Sequence, residues 1–313
     1  ETNAILKREF SLAAIMGNSL WCFDMWGGIF KTPETMELVG KSYEIWKKYK
    51  DAPLDYRAEI VMVIDPDSAF YMKNPLKIER MIKALYSCGA PFDYILFDDI
   101  ENLDFSKYKM VVAPVLYMVK PGMKEALEEY VKNGGILVTT YMSGIVGESD
   151  NVYLGGYPGP LKEMAGVWVE EIDALAPEQH NIVTFKDGSR SKCKIVCDLM
   201  HLEGAESLGE YTEDFYAGMP AVTRHSYGKG KLYYIGTCME EDGIAKILSM
   251  AVEDAGAEPV AGAGNGLEIV KRNREGKSFY FVMNFRDEEL EIPEEFAGKT
   301  DLLSGNAVGK GEK

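Results

Sequence analysis

Short, near-continuous apolar runs alternate with amphipathic helical segments between residues 57 and 256, and no other feature constrains the fold as strongly. The run Glu59–Asp65 is typical of a strand buried on both faces of a parallel sheet. Strands that alternate with helices predict an α/β fold with a doubly wound parallel sheet. The other strands predicted for this sheet cover residues 92–98, 110–114 and 135–141, and the helices between them cover 75–88 and 121–132.

The pattern changes after residue 141, where short strands follow one another and predict antiparallel pairing. Gly228–Gly230 lies between the last two of them and predicts a hairpin turn. A closing helix is predicted over residues 242–253. The strands of this half are predicted over residues 181–185, 192–198, 221–227 and 231–236.

A first segment, residues 1–56, precedes this domain. Helical spacing predicts a helix over residues 4–17, and the apolar run Leu20–Trp26 predicts a short buried strand. Thr32 and Pro33 are typical of a helix start, and that helix is predicted to run to about Lys50. A helix, a strand and a helix cannot close a core alone, so this segment is expected to dock on something larger.

A last segment, residues 257–313, follows a bridge of small residues over 261–266. That bridge contains three alternating glycines, but no strand–turn–helix surrounds them, so we interpret it as a linker and not as a dinucleotide-binding loop. Short alternating strands are predicted over residues 267–273, 278–284 and 289–292. Together they predict a small β unit.

The composition limits the classes of binding partner that the chain is expected to have. The chain has 34 basic and 50 acidic residues, a net charge of -16, which disfavours nucleic acid because phosphates require basic patches. No apolar run approaches the roughly 20 residues of a membrane span, so no membrane partner is expected. The five cysteines are scattered and odd in number, which argues against a disulfide framework and favours a reducing, cytoplasmic location. Because Glu1 is not an initiator methionine, a missing signal peptide says nothing about export.

One motif is more specific than these patterns. A glycine-led strand over residues 134–141 is followed by a turn, Ser143–Val146, and then by a loop rich in glycine and proline. The loop leads into a strand that begins Gly-x-Trp-x-Glu-Glu at Gly166. It contains neither a nucleotide-binding signature nor a nucleophile elbow. Its residues are Asn151-Val152-Tyr153-Leu154-Gly155-Gly156-Tyr157-Pro158-Gly159-Pro160-Leu161.

This order of strand, turn, loop and strand resembles the middle domain of family 42 β-galactosidases, over roughly residues 57–256. The resemblance implies a flavodoxin-like fold of the class I glutamine-amidotransferase type, which in that family joins three subunits. It also implies that residues 1–56 are the last strand and helix of a (β/α)₈ glycosidase barrel. Residues 257–313 then form part of the C-terminal β-domain, because the run Phe279–Phe285 resembles a segment of that domain.

Further expectations follow from the same resemblance. The parent protein would be a homotrimer that hydrolyses terminal β-D-galactosides by a retaining mechanism, with no cofactor, and its two glutamates would lie on barrel strands outside this chain. The loop residues Tyr157, Pro158 and Pro160 would contact a neighbouring subunit or the barrel. Glycine and proline let a backbone lie against another surface in a fixed shape. The alternative is a tight turn within the domain.

The first segment carries candidate substrate-binding residues. In a glycosidase barrel the active site lies at the C-terminal ends of the strands. Trp26 would stack on the apolar face of the sugar and Asp24 would bond its hydroxyls, with Trp21 nearby. The chain has Met25-Trp26-Gly27 where a Gln-Trp-Arg triplet is typical of the family. The resemblance therefore does not fix the exact substrate. The alternative is that the aromatic side chains fill a core.

Other chemistry is not expected. Cys193, Cys197 and His201 are spaced by four, but on a strand such residues lie ~13 Å apart, so no metal site is predicted. Amidotransferase chemistry requires a cysteine at a strand-to-helix elbow, and only Ser143 is near the corresponding place. No role is assigned to His180, His201 or His225.

Two interpretations remain open from the sequence. The first is the non-catalytic trimerisation and C-terminal portion of a β-galactosidase, in which case this chain alone is inactive. The second is a free-standing binding or regulatory protein with an amidotransferase-like fold. The packing of residues 1–56 distinguishes them.

Overall fold

A computed structural model describes residues 2–16, 18–25, 27–49, 58–71, 78–97, 104–260, 262–264, 266–274 and 276–311. The chain divides into two units. One consists of Glu1–Arg57 together with Pro259–Lys313, and the other is Ala58–Glu258. The segments at the two ends of the chain therefore belong to the same unit.

The helices and strands are numbered in chain order. The helices are α1 (Thr2–Met16), α2 (Pro33–Tyr49), α3 (Pro66–Tyr71), α4 (Ile78–Ser87), α5 (Met123–Lys132), α6 (Lys162–Ala165) and α7 (Glu241–Ala255). The strands are β1 (Ile60–Ile64), β2 (Phe92–Leu96), β3 (Met110–Ala113), β4 (Ile136–Thr140), β5 (Val167–Ala174), β6 (Asn181–Phe185), β7 (Arg190–Leu202), β8 (Glu206–Tyr211), β9 (Pro220–Tyr227), β10 (Gly230–Ile235), β11 (Thr237–Met239), β12 (Leu267–Arg274) and β13 (Lys277–Asn284).

The larger unit contains the predicted parallel sheet. Its strands lie in the order β2-β1-β3-β4-β10, and each neighbouring pair is parallel. Ile60 lies opposite both Phe92 and Met110, which fixes the register of the first three strands. Helices α4 and α7 pack on one face and helices α5 and α6 on the other. The α/β fold and the parallel arrangement of β1 to β4 are therefore confirmed.

The same sheet continues as an antiparallel half. From β10 it passes through β9, β8, β6 and β7 to β11 at the edge, and β5 also pairs with β7. The β9–β10 hairpin turns at Gly228 and Lys229, as predicted. Strand β8 was missed by the sequence analysis. Its sequence, Glu206–Tyr211, carries few β-branched or large apolar residues, so the period-2 signal is weak.

The smaller unit contains α1, α2 and the β12–β13 hairpin, in which Ile269 lies opposite Val282. Ile15 of α1 packs with Val270 and Met283 of the hairpin in a small core.

Two predicted strands of the smaller unit are not formed. The described residues 20–25 carry no regular structure, and residues 289–292 have no strand assignment either. The Leu20–Trp26 prediction was wrong because apolar composition alone does not supply a neighbouring strand for backbone pairing. Near residue 289 the side-chain amide of Asn284 donates to the Glu288 carbonyl at 2.7 Å, which bends the chain just after β13.

Candidate functional site

The glycine- and proline-rich loop of residues 151–161 is anchored on its own unit by backbone contacts. Pro158 is buried, and a Cβ atom placed on Gly144 would lie 2.2 Å from the Pro158 carbonyl oxygen. A Cβ atom on Gly156 would lie 1.9 Å from Nε1 of Trp168. Neither position can accept a larger residue without movement, so the base of the loop has a fixed shape.

The outer part of the loop presents apolar side chains to solvent. Val152 is 54% exposed and Leu154 is 96% exposed, whereas Tyr157 and Pro160 are only partly exposed. The loop contact predicted for Tyr157, Pro158 and Pro160 remains a prediction. Sequence analysis did not single out Leu154, because a leucine is ordinarily expected in a core. The two glycines that follow it are the signal that could have pointed to it.

Below the tip, the hydroxyl of Tyr153 donates to the Val119 carbonyl at 2.8 Å. This bond ties the ascending side of the loop to the segment that follows β3. The apolar tip is therefore presented on an ordered support.

An aromatic and ionic cluster lies beside the loop. The His201 ring stacks on Trp168 with 5.0 Å between centroids, and its Nε2 lies 2.7 Å from a Glu170 carboxylate oxygen. The Lys162 ammonium lies 5.8 Å from the Trp168 ring centre. His201 is thus a surface residue with a carboxylate partner, whereas Cys193 and Cys197 are buried.

The carboxyl ends of the parallel strands are where ligands bind in many α/β proteins. Here the side chains at that place bond to the protein itself. The Thr140 hydroxyl accepts from the Val115 backbone N–H at 2.8 Å, and the buried Ser143 hydroxyl accepts from the Leu116 N–H at 3.0 Å. Arg80 donates to the Met239 carbonyl at 3.0 Å. Ser143 therefore supports a turn and is not arranged as an exposed nucleophile.

The candidate sugar-binding residues lie in the smaller unit. Trp21 is 80% exposed and stacks on Phe23 with 5.3 Å between ring centroids, so neither ring fills a core. One carboxylate oxygen of Asp24 accepts from the backbone N–H groups of Gly28 and Ile29 at 2.7 and 3.0 Å. The other oxygen has no hydrogen-bond partner among the described residues. Trp26 lies outside the described residues.

Within the described part of the chain, no group of three or more histidine, cysteine, aspartate or glutamate side chains is arranged to hold a metal ion. The separation of ~13 Å expected between Cys193 and Cys197 is, however, too long. Strand β7 is interrupted at Ile195, whose φ is 77°, so the two cysteines lie closer together than a regular strand would place them. None of the helices described is both long enough and apolar enough to cross a membrane.

A family model described as the β-galactosidase trimerisation domain matches residues 68–258, and the chain belongs to this family. Among its relatives is β-galactosidase LacA of Lactobacillus acidophilus, 46% identical over 232 residues, or 74% of this chain and 34% of that protein. Another is β-galactosidase Pbg of Clostridium perfringens, 42% identical over 240 residues. The chain spans about a third of the length of these curated relatives.

Solved structures agree with this assignment. The crystal structure of a β-galactosidase from Bacillus circulans sp. alkalophilus matches with a TM-score of 0.81 and 33% identity, over 92% of this chain and 44% of that one. A cold-adapted β-galactosidase from Rahnella sp. R3 matches with a TM-score of 0.72 and 30% identity, over 82% of this chain and 40% of that one. These matches do not favour a free-standing amidotransferase-like protein.

Proposed function

We propose that this chain is the non-catalytic trimerisation and C-terminal portion of a β-galactosidase that hydrolyses terminal β-D-galactosides. The observation that carries the proposal is the family match over residues 68–258, which includes every strand of the mixed sheet except β1. A retaining glycosidase uses two carboxylic acids flanking the scissile bond. In this proposal both glutamates lie on barrel strands outside the chain.

The proposal includes a flavodoxin-like fold of the glutamine-amidotransferase type for the larger unit. The parallel strands follow the order β2-β1-β3-β4-β10. With β10 counted as a fifth strand, this corresponds to the order 2-1-3-4-5 of flavodoxin-like sheets. Helices on both faces support the same assignment.

The proposal also includes a homotrimer in which the loop of residues 151–161 contacts a neighbouring subunit or the barrel. The support is that Leu154 is 96% exposed on a loop whose base is fixed by Gly144 and Gly156. Burying an exposed leucine stabilises an interface by roughly 2 kcal/mol. Tyr157 and Pro160 border this tip and remain candidate contacts. Pro158 lies against Gly144 at the base of the loop.

The oligomer is tested on the full-length protein by light scattering at micromolar concentration. We expect a trimer, and we expect Leu154→Asp to shift it toward monomers. Phe215→Asp is the matched control, because Phe215 is also strongly exposed, at 78%, but lies on another loop. A parent protein that is monomeric would contradict the trimer. A trimer that tolerates Leu154→Asp would contradict only the role of the loop.

For the flanking segments we propose that residues 1–56 are the end of the catalytic barrel and residues 257–313 part of a C-terminal β-domain. Trp21, Asp24 and Trp26 would then lie on the sugar side of the barrel. The exposure of Trp21 supports this, because an aromatic face left open is available to a sugar. In the full-length enzyme Trp26→Ala should lower kcat/KM for a β-galactoside at least tenfold, while Trp46→Ala should leave it within twofold. A cytoplasmic location completes the proposal and is supported by the free thiols.

A further inference from the structure

A bulge in β7 brings two buried cysteines together. In the pairing with β11, Cys197 lies opposite Thr237 and Cys193 lies opposite Met239. Thr237 and Met239 are only two residues apart on their strand, which is a separation of ~7 Å. The bulge therefore reduces the spacing of the cysteine Cα atoms from the ~13 Å of a regular strand to about the upper limit seen in disulfides.

The bulge is held in place from both sides. The Ile195 carbonyl accepts from the Leu175 N–H at 2.9 Å, and the Thr237 hydroxyl donates to the Val196 carbonyl at 2.6 Å. The positive φ of Ile195, 77°, is unusual for a β-branched residue. The proximity of the cysteines is thus built into the sheet and does not depend on side-chain rotation alone.

The two thiols face the same core, where the Cys197 sulfur lies 3.6 Å from the Thr237 hydroxyl oxygen. Both side chains are fully buried in the cluster that includes Tyr211 and Tyr216. Interaction with the Cys193 thiol lowers the pKa of Cys197. Interaction with Cys197 and burial raise the pKa of Cys193. Cys197 is therefore the sulfur that more readily becomes a thiolate.

We propose that Cys193 and Cys197 are a redox-active pair that hydrogen peroxide oxidises to an intrastrand disulfide. The Cys197 thiolate attacks one peroxide oxygen, the O–O bond breaks, and water leaves after taking up a proton. The Cys193 sulfur then attacks the resulting sulfenic acid, its S–O bond breaks, and the oxygen leaves as water with the Cys193 proton. Two thiols are oxidised and one hydrogen peroxide is reduced to two waters.

A peroxide reaches the pair only when the sheet opens locally, because both thiols and all three residues of β11 are buried. Strand β11 covers Cys193 and Cys197 along one side, it is the edge strand, and it comprises only Thr237–Met239. Short edge strands open locally at lower free energy than central strands. The pair is therefore expected to react slowly, and faster under mildly destabilising conditions.

The test is hydrogen peroxide treatment of the whole chain carrying Cys22→Ser, which removes the exposed thiol. After alkylation, trypsin cleaves at Lys192, Lys194 and Arg224 and so separates the two cysteines. We expect peptide 193–194 joined to peptide 195–224, lighter than the sum of the two by about 2 Da and separated by dithiothreitol. Unlinked peptides from folded, peroxide-treated protein overturn the proposal, as does oxidation confined to other residues.

Serine variants of single cysteines test whether the linked peptide depends on Cys193 and Cys197. Cys193→Ser and Cys197→Ser should each abolish the linked peptide, whereas Cys238→Ser, a third buried cysteine on the neighbouring strand, should retain it. Circular dichroism establishes which variants fold. A linked species that survives in Cys193→Ser, or that is lost in folded Cys238→Ser, also overturns the proposal.

Discussion

Gly144 and Pro158 are in backbone contact across the loop of the larger unit: a Cβ atom on Gly144 would lie 2.2 Å from the Pro158 carbonyl oxygen. The φ of Gly144 is 66°, a conformation that favours glycine. A glycine is thus required at this position both for the backbone conformation and for the close approach of the loop.

We therefore expect Gly144→Ala to lower the free energy of unfolding by about 2–4 kcal/mol, because the new methyl group meets a carbonyl that is fixed by its own backbone. Gly155→Ala is the matched control. It shares a positive φ, 98°, but a Cβ atom there meets nothing within 4 Å, so a loss of only about 1 kcal/mol is expected. Urea denaturation of both variants measures the difference. Equal losses would show that the contact contributes nothing.

Asp198 is a buried carboxyl group with few hydrogen bonds. It is 1% exposed, one oxygen accepts from the Tyr234 hydroxyl at 2.8 Å, and the other has no partner among the described residues. Burial raises the pKa of Asp198 to about 8. Since the folded pKa lies above the unfolded value of about 4, the protonated acid favours folding and that contribution is lost as pH rises from about 4 to about 8.

Asp198→Asn imitates the neutral acid and should remove this loss. We expect the variant to gain stability relative to the wild type by up to about 1.4 kcal/mol for each pH unit between pH 5 and 8. Chemical denaturation at several pH values gives the difference, in which the titrations of all other groups cancel. A difference that is independent of pH would show that Asp198 titrates normally.

Lys120 neutralises a carboxylate at the end of β1. Its ammonium lies 2.9 Å from Asp65, whose side chain is 1% exposed, and 2.5 Å from Asp67, whose side chain is 52% exposed. Lys120→Met would leave Asp65 charged and buried, so we expect a loss of about 3 kcal/mol in unfolding free energy.

The matched change is Asp67→Asn, which removes the solvated partner and should lose less than about 1 kcal/mol. Thermal and urea unfolding of both variants provide the measurement. If the two losses were the same, the ion pair with the buried Asp65 would contribute no more to the free energy of unfolding than the pair with the exposed Asp67.

Most of the parallel core could be predicted because β1, β3 and β4 are buried on both faces and are rich in β-branched residues. The bulge at Ile195 could not, because no local residue preference favours a positive φ there and the cause is the pairing with β5 and β11. The loop motif predicted the family. It could not show that Leu154 points outward, since exposure depends on which neighbours the chain brings to that place.

This chain alone should not hydrolyse β-galactosides. Glycoside hydrolysis requires two carboxyl groups on either side of one bond. The buried acidic side chains of Asp65 and Asp198 bond to Lys120 and Tyr234 inside the larger unit and are closed to a sugar.

Glu268 has a pKa in the range of a general acid, since burial raises it to about 7. It lies opposite Met283 on the hairpin, with Val270 next on the same face, so no second carboxyl group adjoins it there. We expect no turnover of a chromogenic β-galactoside by the chain purified from a host without β-galactosidase. Activity that rose with protein concentration and fell in Glu268→Gln would contradict this expectation, because it would place an acid catalyst on the hairpin. Activity equal in both proteins would also contradict it, because the host supplies no β-galactosidase and the acid catalyst would then lie elsewhere in the chain.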